Sequence, residues 1–164
     1  MQLYTNPTYQ LRMSFPDGWQ FVTPNRSSTI CKARAPQEYA SMTIASFGSL
    51  WADDEDSIKS RDAWAAYSTI TREVFEQHFE RNDPTGNVLP IIHFISLEML
   101  GDEKAIFVDY TLTDNEKSVS MRIRAYLLLR AGSWFNVSFG TEPSAPDLFI
   151  EDWYDSAKTF RFDS

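Results

Sequence analysis

The sequence predicts a single α+β domain in which antiparallel strands and two helices share one core. Three observations point to it. Apolar and polar residues alternate with period two in several short segments, the mark of half-buried strands. Apolar residues spaced by three and four recur over 61–82 and again near the C-terminus, the mark of amphipathic helices. Turn residues separate these segments, and no repeat, low-complexity stretch or linker divides residues 1–164. A chain of 164 residues is about one ordinary domain, able to bury roughly two-thirds of its unfolded surface.

The first strand is read from Tyr9, Leu11, Met13 and Phe15, alternating with Gln10, Arg12 and Ser14. Pro16-Asp17-Gly18 makes a turn, with Gly18 in its positive-φ position. Trp19 and Phe21 open a second short strand, and Trp19 is placed to cap the sheet end with a large buried ring. Pro24-Asn25 turns the chain again, and strands follow near 28–34 and 40–47. The acidic stretch Asp53-Asp54-Glu55-Asp56 then leads towards the long helix, 61–82. Its apolar stripe holds Trp64, Tyr67, Ile70, Val74 and either Phe75 or His78, and Asp83-Pro84 ends it.

Segments 89–100, 104–113, 117–130 and 134–140 form a meander of antiparallel hairpins. Gly101-Asp102, Asp114-Asn115-Glu116 and Ala131-Gly132-Ser133 separate them. If Asn115-Glu116 is the second turn, Ile106 meets Ala125, Val108 meets Ile123, Tyr110 meets Met121 and Leu112 meets Val119, an all-apolar face. On the other face Phe107 meets Arg124, Asp109 meets Arg122 and Thr111 meets Ser120, a mixed face. A last helix, about 146–159, carries Leu148, Phe149, Trp153 and Ala157, before Phe160 and Phe162.

This order of elements resembles the PsbP-like family. The likeness rests on Tyr9 through Phe15, on the Pro16-Asp17-Gly18-Trp19 turn, and on the long helix and the meander after it. It extends to the closing Asp155-Ser156-Ala157-Lys158-Thr159-Phe160, and so covers about residue 8 to residue 164. The family includes the extrinsic PsbP subunit of photosystem II, nuclear Ran-binding nucleotide-release factors and many bacterial proteins of unknown role. The resemblance implies a twisted antiparallel sheet with helices packed on it, an α/β/α sandwich. It implies assembly, scaffolding or regulatory roles and no catalytic residues. Pro16, Gly18 and Trp19 are structural positions in that reading.

Charge excludes whole classes of partner. The net charge of −8 argues against a nucleic-acid surface, which needs clustered Lys and Arg to displace counterions, and against an anionic membrane. No apolar run approaches the roughly 20 residues that span a bilayer. The opening MQLYTNPTYQ has no apolar signal core. The expected location is cytoplasmic, or periplasmic or secreted if Met1 replaces a removed signal segment.

Nothing in the chain points to catalysis or to a cofactor. The one cysteine, Cys31, excludes an internal disulfide and reads as a small hydrophobe in a strand. His78 lies in the long helix, and His93 sits between apolar neighbours, opposite Tyr110 if Gly101-Asp102 is a two-residue turn, a core histidine bonded to a neighbour. No nucleophile elbow, zinc helix or phosphate loop is present. The Asp53–Asp56 run lacks the alternation, the Gly and the twelfth-position Glu of a Ca²⁺ loop, so no metal site is expected.

The mixed face is the candidate site: Arg122, Arg124 and Tyr126 on one strand, Phe107 and Asp109 across from them. In an acidic protein such arginines can anchor a carboxylate, a phosphate or an acidic partner residue. The other reading is structural, with Asp109 paired to Arg122 and Arg124 lying over Phe107. The expected function is a non-enzymatic protein-binding or adaptor module, in keeping with the content of Tyr, Trp and Arg. The alternative is a carrier of a small anionic ligand in an aromatic pocket gated by Arg122 or Arg124. A hydrolase or isomerase with an unfamiliar site stands third.

Overall fold

The computed structural model describes residues 1–24, 26–36, 39–48, 62–66, 76 and 87–163. In chain order these form β1 (Gln2–Asn6), β2 (Leu11–Phe15), β3 (Gln20–Val22), β4 (Thr29–Arg34), β5 (Ala40–Gly48) and α1 (Ala63–Ala66). The meander β6 (Val88–Leu100), β7 (Glu103–Asp114), β8 (Val119–Arg130) and β9 (Ser133–Thr141) follows, then α2 (Ile150–Ala157) and β10 (Arg161–Phe162). A seven-stranded antiparallel sheet runs β3-β4-β5-β9-β8-β7-β6, and β1-β2-β10 make a second, three-stranded sheet.

Strands dominate. The helical layers implied by the family resemblance reduce, among the described residues, to the eight-residue α2 and the four-residue α1. Of the expected helix over 61–82, Ala63–Ala66 and Glu76 are helical. Asp62 forms a bend just before them, and the other residues of that segment, including His78, and the acidic run Asp53–Asp56 lie outside the described residues.

Alternation puts Leu11, Met13 and Phe15 wholly inside, between the two sheets. They pack with Met42, Ile44, Leu128, Val137 and Phe139 of the large sheet and with Trp153 and Ala157 of α2. Trp153 stacks on Phe139 with ring centres 5.6 Å apart. Each fully buried ring or branched chain contributes about 1.5–3 kcal/mol of transfer free energy. The opposite face buries Ile106, Val108, Tyr110, Leu127 and Trp134 against Ala63 and Ala66 of α1.

Trp64 fastens α1 to the sheet, its Nε1 donating to the Glu98 carbonyl at 3.2 Å and the Ala105 carbonyl at 2.9 Å.

Trp19 is buried as the turn before it predicts. Its amide donates to the Pro16 carbonyl at 3.3 Å, and Gly18 takes φ +86°. The indole meets Phe149 edge-on at 5.6 Å, and Nε1 donates to Asp152 Oδ2 at 3.3 Å. The closing helix begins later than the apolar spacing indicates, at Ile150 rather than near 146, because Phe149 adopts a left-handed conformation, φ +62°.

Two expectations within the meander need correction. The β7–β8 hairpin closes over four residues, not two: Asp114 pairs with Val119, and Asp114 Oδ1 accepts the amides of Glu116 at 3.1 Å and Lys117 at 3.2 Å. Ser118 completes the loop at φ +53°. Every cross-strand pair therefore moves by two, so Ile106 meets Leu127 and Asp109 meets Arg124. A shift of two keeps each side chain on its face, which is why the apolar face survives the error. The Gly101-Asp102 turn is right, but the β6–β7 ladder carries a bulge between Ile92 and Phe94. Tyr110 thus pairs with Ile92, while His93 turns outwards, exposed, with Nε2 2.8 Å from Thr111 Oγ1.

Candidate functional site

Side chains directly opposite on antiparallel strands share a face. From the observed register one face of the sheet carries Leu89, Ile91 and Phe94 of β6, then Thr113, Thr111, Asp109 and Phe107 of β7, then Ser120, Arg122, Arg124 and Tyr126 of β8. The same face of β8 and β9 is covered further along by α2 and the small sheet.

The five candidate residues divide accordingly. Tyr126 is buried against Trp153, 6.0 Å between ring centres, and Phe107 packs on Tyr126 at 5.2 Å. Burial, with smaller contributions from Glu98 and Tyr154, pushes the Tyr126 hydroxyl up to about 12, so it stays a neutral core phenol. Both rings belong to the core and its border.

Asp109, Arg122 and Arg124 form a charged cluster beyond α2. Arg122 grips Asp109 with two bonds, Nε to Oδ1 at 2.5 Å and Nη2 to Oδ2 at 2.8 Å. The Asp109 hydrogen bond raises the Arg122 pKa above its ordinary value, against the opposing effect of burial. Side-chain exposures of 26% for Arg122 and 16% for Asp109 make this a half-buried fork-on-fork pair.

Arg124 does not lie over Phe107 as the structural reading expects. Its Nη2 donates to Asp147 Oδ1 at 3.0 Å, and its Nε is 4.0 Å from Asp109 Oδ2. The side chain is 11% exposed, and Nη1 is buried with no hydrogen-bond partner.

Sequence reasoning missed Asp147, because nothing in its spacing ties the segment before α2 to β8. It also missed the exposed row Leu89, Ile91 and Phe94. A strand apolar at both parities reads as buried on both faces, yet β6 is the outermost strand among those described.

A shallow cleft of about 370 Å³ lies beside the cluster, lined by Asp147, Phe149, Ile150, Glu151 and Asp152. Three carboxylates there repel an anion rather than hold one. No group of His, Cys, Asp and Glu among the described residues is arranged to hold a metal ion. No helix among them is long and apolar enough to cross a membrane.

No family model and no curated protein matches this sequence. Solved structures do match in fold. The cyanobacterial PsbP (CyanoP) of Synechocystis sp. PCC 6803 superposes with a TM-score of 0.62 at 12% identity, over 98% of this chain and 91% of its own. A Bacteroides thetaiotaomicron VPI-5482 protein gives 0.57 at 14% identity, over all of this chain and 50% of its own. PA94 of Pseudomonas aeruginosa, a protein of unknown function, gives 0.53 at 15% identity, over 96% and 93%. The chain has a PsbP-like fold, as the element order of the sequence implied.

Proposed function

Starting from a PsbP-like fold, we propose that residues 1–164 form one non-enzymatic binding domain that docks another protein on the open part of the β6–β8 face. The observation that carries this reading is the composition of that face. Leu89, Ile91 and Phe94 stand exposed in a row, beside Thr111, Thr113 and Ser120 and the Asp109–Arg122–Arg124 cluster. Exposed apolar residues next to polar groups and Arg are the composition of a protein interface. The cluster sets register: Arg122, 26% exposed beside Asp109, presents its guanidinium to a carboxylate or carbonyl of the partner. The assembly, scaffolding and regulatory roles implied by the family resemblance agree with this.

The carrier reading has less support. It requires a pocket between Phe107, Arg124 and Tyr126, and two of those side chains pack into core aromatics instead.

The test is a photo-crosslinking amino acid placed at Ile91, at Phe94 and, as control, at the exposed Leu3 of the small sheet. One protein should be trapped from Ile91 and Phe94 and not from Leu3, and an Arg122→Ala/Arg124→Ala double variant should lose it. Equal trapping from all three sites, or none from the first two, overturns the proposal.

A further inference from the structure

The outer edge of β6 raises a separate question from its face. A two-residue loop, Gly101-Asp102, joins β6 to β7, with Gly101 at φ +57°. Such a loop makes its flanking pair, Leu100 with Glu103, a hydrogen-bonded pair. The phase then alternates along the ladder, so Ser96 and Glu98 also point their backbone groups at β7. Trp64 supports this phase independently, since its Nε1 reaches the carbonyls of both Glu98 and Ala105, the two members of one pair. Ile95, Leu97 and Met99 must therefore aim their N–H and C=O groups away from the sheet. No described strand lies on that side.

The side chains along this edge are apolar as well. Phe94 is 51% exposed, Leu97 43% and Met99 47%. A long apolar edge strand with free backbone groups is a template for another strand. Towards the N-terminus Pro90 and the bulge at Ile92/Phe94 interrupt it. Residues 94–100 remain.

We propose that this edge pairs with the same edge of a second copy, antiparallel about a two-fold axis through Leu97. The register follows from the sequence Phe94-Ile95-Ser96-Leu97-Glu98-Met99-Leu100. Centred on Leu97, each hydrogen-bonding residue meets another of the same phase: Leu97 its own copy, and Ile95 the second copy's Met99. Phe94 then faces the other Leu100, and Glu98 faces the other Ser96. Every apolar residue meets an apolar one and no like charges oppose. Centring on Glu98 instead sets two carboxylates face to face, which is destabilising. Centring on Ser96 runs the ladder into the bulge at His93. The Leu97 register also satisfies all the free backbone groups of residues 95, 97 and 99 on both chains. An interface of this kind is isologous and closed, and it joins the two large sheets into one.

Because position 97 faces itself, the test is a charge swap at that one exposed site. The purified full chain is expected to run at twice its monomer mass in sedimentation velocity. Leu97→Lys and Leu97→Glu are each expected to be folded monomers, with dimer dissociation constants raised about 100-fold by like charges in contact. Mixing the two variants is expected to restore a mixed dimer. Circular dichroism matching wild type separates loss of pairing from loss of fold. A monomeric wild type at about 100 μM, a dimer indifferent to Leu97→Lys, or two folded monomeric variants that stay apart when mixed each overturns the proposal. Purified chain alone is used, and Leu97 lies on the opposite sheet face from Ile91, so this outcome does not require partner binding. Phe94 borders both surfaces, and a second copy trapped from Phe94 but not from Ile91 reports the edge pairing and not the partner.

Discussion

Asp109 stands directly across the β7–β8 ladder from Arg124, yet its carboxylate is held by Arg122, two residues along the strand on the same face. This diagonal choice frees Arg124 to reach Asp147 and ties the segment before α2 to the sheet. The cluster thus has two cations sharing one half-buried anion and one exposed one.

Removing different members should cost different amounts. Arg122→Ala leaves Asp109 with Arg124 still near it, and a loss of about 1 kcal/mol is expected. Asp109→Ala leaves two arginines facing each other with one buried donor already unmet, and the loss should reach about 2–3 kcal/mol. Urea denaturation of both variants checks the order. Equal losses would mean that Arg124 does not share Asp109.

Trp19 should behave as a buried, bonded indole. In a variant keeping it as the only tryptophan, iodide should barely quench its emission. Trp19→Phe should cost about 1–2 kcal/mol, from the lost bond to Asp152 and a poorer fit on Phe149. Trp19→Ala should cost about 3–5 kcal/mol.

Trp64 offers a comparable test on the other face. Trp64→Phe keeps the ring over which Lys104 sits at 5.4 Å but removes the donor to Glu98 and Ala105. About 1 kcal/mol should be lost in thermal or urea unfolding.

Alkaline pH should destabilise the protein from about pH 9 upward. Burial pushes the Cys31 thiol from its ordinary 9.0 up to about 12 and the Tyr126 hydroxyl from 10.0 up to about 12, and it raises Tyr110 as well. The unfolded chain then releases these protons first, so the native state holds more of them and loses stability as pH rises. Each group contributes at most about 1.4 kcal/mol per pH unit within its window. Lys32 acts in the opposite sense, since burial, Arg34 and Arg26 lower its pKa. Cys31→Ala should flatten the first part of the fall. Ellman's reagent should leave Cys31 unreacted until the chain unfolds.

Much of this fold was legible because its signals are local. Leu11, Met13 and Phe15 alternate, Gly101-Asp102 can only be a tight turn, and Trp153 and Ala157 are four apart on α2. The partition of β7 and β8 into faces was legible too, since parity survives any even slip. The register itself was not, because it depends on the Asp114 carboxylate closing a longer loop. His93 was misplaced by a bulge that no residue announces. β1 went unread because Leu3 and Tyr4 are adjacent rather than alternating, and the small sheet is completed by a strand at the far end of the chain. Of the candidate site, the Asp109–Arg122 pair follows from alternation, whereas Asp147 arrives through tertiary packing alone.

That small sheet has a kinetic consequence. β10 is two residues long, and it lies beside β2 only after everything between has been placed, with Phe160 and Phe162 seated in the core. A contact between chain ends carries a large loop-closure entropy and little local reward. The meander, with its short loops, is expected to nucleate folding, and the β2–β10 pairing to form last. It is equally the first to open: amides of β2 that face β10 should exchange with solvent well before those of β8.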